Sequence, residues 1–349
     1  MTDALHGRNE SAPSARLRSG WCCADRYLAA KVRVLIVTHM WPTASRPEHG
    51  VFVRDQVEAL ERLPGVEVEV RRFEPGALSY PRAAARLLGA ARRGGSDLAP
   101  GEGFDVVHAH YGLSGWSALA ARGRVLVVTF HGTDLSHRVA GPLSRLLARM
   151  IALPATVSAA LARERLPGAG SRRRVAVLPC GVDMERFRPL DRGDSRARLG
   201  LEPDPPYLLF PADPARAIKR HDRAQALAER LGAGLLALRG VPPAEVPLWV
   251  NAANAVVVPS EREGFGLAVV EALACDVPVL ATPTGIAPLL LEGLPGALCA
   301  PFDLDRWASA AHAHLERRDP RLAGRSRAQL FSSARMAERV LEAYRALGA

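Results

Sequence analysis

A chain of 349 residues is long for one hydrophobic core and fits two domains of ordinary size. Its composition is 48% apolar and 5% aromatic, with no apolar stretch longer than a strand or a short helix, which leaves no candidate transmembrane helix. The net charge of +10 is lopsided: residues 1–190 carry 27 Lys+Arg against 17 Asp+Glu, and residues 191–349 carry 19 of each. Nucleic acid is a weak reading of that excess, because the arginines are not interleaved with aromatics and no binding module appears. The basic runs Arg82…Arg86…Arg92-Arg93 and Arg138…Arg145…Arg149 suit anionic lipid head groups, and equally suit ordinary solvated helix faces.

In chain order, residues 1–30 are mixed and polar and lack the apolar core of a secretory signal, so they read as a tail or an over-long start. Strands are then predicted at 32–39, 66–73, 105–110, 125–130, 155–157 and 175–178, with helices near 51–63, 81–93, 113–121, 141–151 and 158–165. The stretch between the helix near 81–93 and the strand at 105 reads as an acceptor loop. A break rich in Pro, Gly and charge spans Arg188–Pro206. A second set of strands follows at 207–211, 234–238, 255–258, 277–281 and 297–300, with helices near 219–231, 244–253, 265–275 and 304–317. The last helix, near 333–347, places Met336, Val340, Leu341 and Tyr344 at helical spacing. This alternation describes two doubly wound parallel sheets. The expected units are a tail (1–30), a Rossmann-like domain (31–190), a second one (205–330) and a closing helix (331–349). Five cysteines show no metal-type spacing. Cys22 and Cys23 fall in the tail, while Cys180, Cys275 and Cys299 sit in apolar contexts as free thiols of a reducing cytoplasm.

Ligands of open α/β sheets gather at the carboxyl ends of strands. Five motifs lie there: Thr38–Trp41, His131–Asp134, Pro211–Lys219, Ser260–Gly266 and Thr282–Ile286. In the fourth, Pro259-Ser-Glu-Arg-Glu263-Gly264-Phe265-Gly266 turns from a buried strand into a helix that is apolar on every face except at Glu271. A carboxylate set among Val269, Val270, Ala272 and Leu273 is costly to bury without a partner. The glycine turn aims free backbone N–H groups at an anion. Glu263 and Glu271 are at most about 12 Å apart by helix rise, enough to grip the two ends of a nucleotide-sugar. Taken alone, Glu263 reads as a helix cap; paired with Glu271 it reads as a ligand group. Lys219 is one of only two lysines among 46 basic residues, which marks a compact ammonium where arginine is the rule. Glycines 264 and 266 permit close backbone approach. Asp303-Leu-Asp305 has a metal-binding look but opens a helix, so Asp303 reads as an N-cap and no metal is expected.

These motifs resemble the Glu-x7-Glu signature and companion segments of the retaining glycosyltransferase family 4, whose fold is GT-B. Val34–Pro42 with Pro47–Arg54, His131-Gly-Thr-Asp134, Leu178–Asp183 with Phe187-Arg-Pro189, and Val246–Asn254 stand in the family's order, so the resemblance covers residues 32 to about 300. The wording of the first loop and of Phe210–Pro214 is closest to enzymes of cell-surface polysaccharide assembly, such as the teichuronic-acid type. The resemblance implies a donor held on the second domain without a metal or other cofactor, and an acceptor on the first. It assigns Glu271 to the ribose, Glu263 to the donor sugar with the backbone of Gly264, Phe265, Gly266 and Leu267, and Lys219 to the diphosphate. His131 would approach the donor sugar and the acceptor hydroxyl, where the residues alone leave a structural histidine equally open. Gly50 would let its loop fold over the diphosphate, or be an ordinary turn. Asp134 is expected to cap the next helix. The family's usual Gly-Arg before the lysine is here Ala212-Asp213, so the diphosphate arginine becomes Arg216, or failing that Arg220.

The function implied is transfer of a hexose from a nucleotide-sugar to a lipid-linked or polysaccharide acceptor in cell-envelope glycan synthesis, by a cytoplasmic enzyme peripheral to the inner face of the plasma membrane. Two alternatives remain at this point: a soluble transferase acting on a small acceptor, and a non-catalytic nucleotide-sugar-binding scaffold protein.

Overall fold

The computed structural model describes residues 31–93, 103–166 and 175–349. The expected tail, with Cys22 and Cys23, lies outside them, as do the side chains of Arg92 and Arg93 and most of the predicted acceptor loop.

Runs such as Val-Arg-Val-Leu-Ile-Val-Thr and Ala-Val-Val-Val are nearly continuous in apolar residues, as strands covered on both faces must be. They form two parallel sheets. The first takes the order β2-β1-β3-β4-β5-β6, built from Val32–Thr38 (β1), Val66–Arg72 (β2), Phe104–His110 (β3), Gly123–Phe130 (β4), Leu153–Thr156 (β5) and Ala176–Val177 (β6). The second takes the order β11-β10-β9-β7-β8, from Tyr207–Phe210 (β7), Gly234–Ala237 (β8), Ala255–Val258 (β9), Val279–Ala281 (β10) and Leu298–Cys299 (β11). The order of strand addition reverses between β1 and β3 in one sheet and between β7 and β9 in the other. The loops leaving β1, β3, β7 and β9 therefore flank the crevices where ligands of such sheets collect.

The helix Ser333–Arg345 begins at the second domain and lies on the first. Met336, Ala337, Val340, Leu341 and Tyr344 are buried in one core with Val32, Val34, Ile36, Val53, Val57 and Leu60. A short strap leads into it: Val182 N–H donates to Phe331 O at 2.9 Å, and Ser333 N–H donates to Val182 O at 2.9 Å.

The break expected at Arg188–Pro206 holds a helix, Arg192–Leu199. Its charged sequence hid an unusual use of arginine. Arg192 and Arg196 are buried, and their guanidiniums donate to the carbonyls of Ala253 (2.7 Å) and Ala252 (3.0 Å) and to Asn254 Oδ1 (2.9 Å). They thereby satisfy the open end of the helix Val246–Ala252. The helix predicted near 219–231 is also divided. A 3-10 turn covers Ala217–Lys219, Arg220 takes φ 58°, and the α-helix runs from His221 to Leu231.

Candidate active site

On the second domain, β9 delivers the chain to Ser260, whose carbonyl accepts a hydrogen bond from Thr282 Oγ1 at 2.5 Å. Ser260 Oγ then donates to Glu263 Oε1 at 2.6 Å. Lys219, at the end of the turn after β7, donates to both Glu263 oxygens at 2.6 Å. Their side chains are 17% and 9% exposed, so the ion pair is shielded yet open on one side. Gly266 (φ 93°) reverses the chain into the helix Leu267–Ala274, whose N-terminus has no side-chain cap, so its first amides are left for a ligand. Gly285 (φ 58°) packs beneath, where a Cβ would lie 2.2 Å from the Phe265 carbonyl oxygen. Phe265 sends its ring into the core, 5.8 Å from Phe331, and leaves its backbone at the site.

The two candidate arginines differ. Arg216 is exposed and forms no ion pair with any described residue. Arg220 is engaged with Asp222 (2.8 and 2.5 Å) and with Glu261 (2.6 Å), which raises its already high pKa. Of the two, Arg216 is the one without a competing carboxylate.

Glu271 lies one helical turn and more below, part-exposed, with no hydrogen bond to another described residue. Burial in the surrounding wall, partly offset by Arg186 and reinforced by the like charge of Asp55, pushes its pKa up to about 7. Arg186 Nη2 donates to Asp55 Oδ2 at 2.6 Å, so a charge from the helix Val51–Glu61 of the first domain bears on the donor side. The sequence reasoning missed Asp55 and Arg186; the signal was a charge between Val53 and Val57 on a core-facing helix.

On the first domain, β4 ends at His131. Gly132 takes φ 105° and the short helix Thr133–Ser136 follows. Asp134 lies in the first turn of that helix, not at its N-cap position, and accepts from the helix amide of Leu135 at 3.1 Å. It is fully buried, and its carboxylate also accepts from the backbone N–H groups of His131, Gly132 and Gly112 at 2.9–3.3 Å, tying the loops after β3 and β4 together. Burial outweighs those bonds and raises its pKa to about 6. His131 packs against Phe52 at 4.9 Å between ring centroids and lies 3.2 Å from His110. Burial and neighbouring imidazoles depress the pKa of His108 to about 3 and of His39 to about 4, and hold His110 and His131 well below the usual value. The first-domain rim is therefore lined by neutral imidazoles at pH 7. Gly50 (φ 72°) starts the helix Val51–Glu61; a Cβ there would meet the Met40 carbonyl carbon at 2.2 Å, so the glycine lets its loop close on the loop after β1.

The two rims touch. Ser158 Oγ donates to Gly264 O at 2.7 Å, and a Cβ on Gly264 would lie 2.1 Å from the His131 carbonyl oxygen. Glu263, Lys219, Gly264, Phe265, Gly266 and His131 are thus brought to one place, while Arg220 is turned to a neighbouring face. Asp303 caps the helix Leu304–Leu315 by accepting from Arg306 N–H at 2.9 Å, and Asp305 pairs with Arg230. Among the described residues no group of three His, Cys, Asp or Glu side chains is placed to hold a metal ion, and no helix is long and apolar enough to cross a membrane.

Residues 24–186 match the family described as Glycosyltransferase Family 4, and residues 215–317 match Glycosyl transferases group 1. The D-inositol 3-phosphate glycosyltransferase of Geodermatophilus obscurus is 31% identical over 361 aligned positions, covering 85% of this chain and 80% of that protein. The enzyme of the same name from Nocardia farcinica is 32% identical over 303 positions, covering 70% and 66%. Among solved structures, sucrose-phosphate synthase from Thermosynechococcus elongatus superposes with a TM-score of 0.67 at 21% identity, over 91% of this chain and 99% of that one. HepE of Anabaena, solved with UDP and glucose, superposes with a TM-score of 0.67 at 18% identity, over 90% and 100%. The two facing sheets are the GT-B fold.

Proposed function

The chain belongs to glycosyltransferase family 4, and from that premise we propose that it is a retaining, metal-independent hexosyltransferase using a nucleoside-diphosphate sugar. One observation carries the donor reading: Lys219 and Glu263 meet at the start of the helix Leu267–Ala274, directly against the His131 rim of the other domain. Lys219, Arg216 and the helix N-terminus supply positive charge to a leaving diphosphate, a role that needs no metal. Glu263 accepts from the sugar hydroxyls and Glu271 from the ribose. The C1–O bond to the diphosphate breaks, the acceptor oxygen bonds to C1 on the same face, and its proton passes to the departing phosphate oxygen. The complexes of HepE with UDP and with UDP-glucose, on the same fold, support such a donor.

The acceptor reading rests on a surface. Val139, Leu143, Leu146 and Met150 lie on and beside the helix Ala140–Ala148 at spacings of four, three and four residues, which is one helical face, and are 40–68% exposed. Arg138 and Arg149 flank them, and no Asp or Glu occurs between Asp134 and Glu164. The helix Gly112–Ala118 packs between this one and Ser79–Arg93, which exposes Leu88 and bears Arg82 and Arg86. An apolar stripe with a cationic margin fits an anionic bilayer surface. We therefore assign a lipid-linked or polysaccharide acceptor of cell-envelope glycan synthesis, met at the inner face of the plasma membrane from the cytoplasm. The second reading, a small phosphorylated acceptor, is favoured by the inositol-phosphate enzymes among its relatives.

The test is thermal stabilisation by UDP, GDP and ADP and their common hexose conjugates. A ligand bound only to the folded state adds about 2.7 kcal/mol at one hundred times its Kd. A shift with one base supports the donor site; no shift with any would move the non-catalytic scaffold reading ahead.

A further inference from the structure

His131 is held through a second histidine and an amide. His131 Nε2 lies 3.2 Å from His110 Nδ1, and His110 Nε2 lies 3.3 Å from Gln56 Nε2. Gln56 and His110 are buried, His110 almost completely. His110 also stacks on His108, with ring centroids 4.5 Å apart, and His108 is fixed by Tyr344 Oη at 2.6 Å and Thr129 Oγ1 at 2.7 Å. None of these rings has freedom to turn without breaking a buried hydrogen bond.

A neutral imidazole has one N–H and one lone pair, and the two nitrogens cannot exchange roles independently of their partners. The Gln56 amide nitrogen only donates, so His110 Nε2 is the lone-pair nitrogen. The His110 proton then sits on Nδ1 and is given to His131 Nε2. His131 must in turn carry its own proton on Nδ1. That atom has no partner among the described residues and is not fully buried, so it is open to a ligand. The opposite state of either ring would set two N–H groups, or two lone pairs, against each other in a buried place.

We propose that Gln56 and His110 are positioning residues that fix His131 as the Nδ1–H tautomer, so that it offers a hydrogen-bond donor to an oxygen of the bound sugar or acceptor. The identity of that oxygen's owner rests on the hexosyltransferase reading; the tautomer does not. A His131 that already holds its outward proton does not act as the base that deprotonates the acceptor. This agrees with a proton passing to the departing phosphate.

The experiment is a two-bond 1H–15N spectrum of the full chain labelled at histidine, with the His131 signals assigned by their loss in His131→Asn. The expected result at pH 7 is a protonated Nδ1 and an unprotonated Nε2 at His131. Protonation at Nε2, or at both nitrogens, overturns the proposal. Gln56→Glu puts an accepting carboxylate in place of the donor, so His110 and His131 should both switch to Nε2–H. Turnover should then fall by about 10²-fold, as on loss of one aimed donor, while KM for the nucleotide-sugar changes little. A switched tautomer with unaltered turnover would overturn the use assigned to the donor. If that variant does not fold, the spectrum of the unmodified chain still decides. Failure of the hexosyltransferase reading would show separately, as the lack of any nucleotide-dependent stabilisation.

Discussion

Lys219 Nζ donates to both carboxylate oxygens of Glu263, at 2.6 Å each, although 44 residues separate the two in the chain. With Ser260 also donating to Oε1, the carboxylate is held by three hydrogen bonds, just ahead of the uncapped start of the helix Leu267–Ala274. A pair so fixed offers one positive and one negative group to a ligand without reorganisation.

Substituting the two members should separate binding from turnover. Lys219→Ala is expected to abolish stabilisation by the nucleoside diphosphate. Glu263→Gln should retain that stabilisation and lower kcat by about 10²-fold. Nucleotide titrations by melting temperature, alongside product formation, read both. An unchanged diphosphate Kd in Lys219→Ala refutes the role given to the lysine.

Gly264→Ala tests the contact between domains. The added methyl would lie 2.1 Å from the His131 carbonyl oxygen and cannot be relieved by a side-chain turn. The rims should part, with loss of nearly all turnover at a folding cost of only about 1–3 kcal/mol. Wild-type activity in this variant would mean that the contact is not part of the working enzyme.

The Glu271 carboxyl, raised by burial from 4.5 to about 7, makes a pH prediction. Between those two values the native state keeps a proton that the unfolded chain has released, so stability falls as pH rises from about 4.5 to 7 and is level above. Glu271→Gln should therefore be more stable than the parent at pH 8, by on the order of 1–3 kcal/mol, and match it near pH 4. An ionised carboxylate accepts ribose hydroxyls more strongly. Nucleotide affinity of the parent should accordingly tighten from pH 6 to 8, with no such trend in Glu271→Gln. Denaturant titrations and nucleotide Kd values across that range would show it.

The exposed stripe predicts a surface effect without a folding effect. Leu143→Glu with Leu146→Glu should abolish co-sedimentation with vesicles containing anionic lipid and leave the melting temperature unaltered, since both side chains are exposed. Binding of the parent should weaken as salt rises. Equal, negligible sedimentation of parent and variant would favour the small-acceptor reading.

Tyr344→Phe removes the hydroxyl that meets His108 Nδ1 in a fully buried place. Chemical denaturation should show a loss of about 1–3 kcal/mol. A neutral result would mean that His108 finds another partner and that the closing helix does not help fix the imidazole stack.

Much of the architecture was legible in the chain because its signals are local. Apolar runs such as Ala255–Val258, the glycine turn at Gly264–Gly266 and the spaced Met336, Val340, Leu341 and Tyr344 each state their element within a few residues. Where local signals misled, long-range satisfaction was the cause: the charged helix Arg192–Leu199 is held by carbonyls some sixty residues away. Asp134, expected as a cap, accepts from one amide of its helix and also from those of His131, Gly132 and Gly112, because the loop after β3 brings Gly112 to it.

The sequence by itself determined that two parallel α/β sheets present motifs at their strand ends, and that Glu263, Glu271, Lys219 and His131 belong to those motifs. Only the tertiary structure decided their partners. It joined Lys219 to Glu263, left Arg216 open while Arg220 went to Glu261 and Asp222, set Ser158 and His131 against Gly264, and lined up Gln56, His110 and His131. The reason is physical: period and turn chemistry act over a few residues, whereas hydrogen bonds and ion pairs between rims depend on how two separately formed sheets face each other.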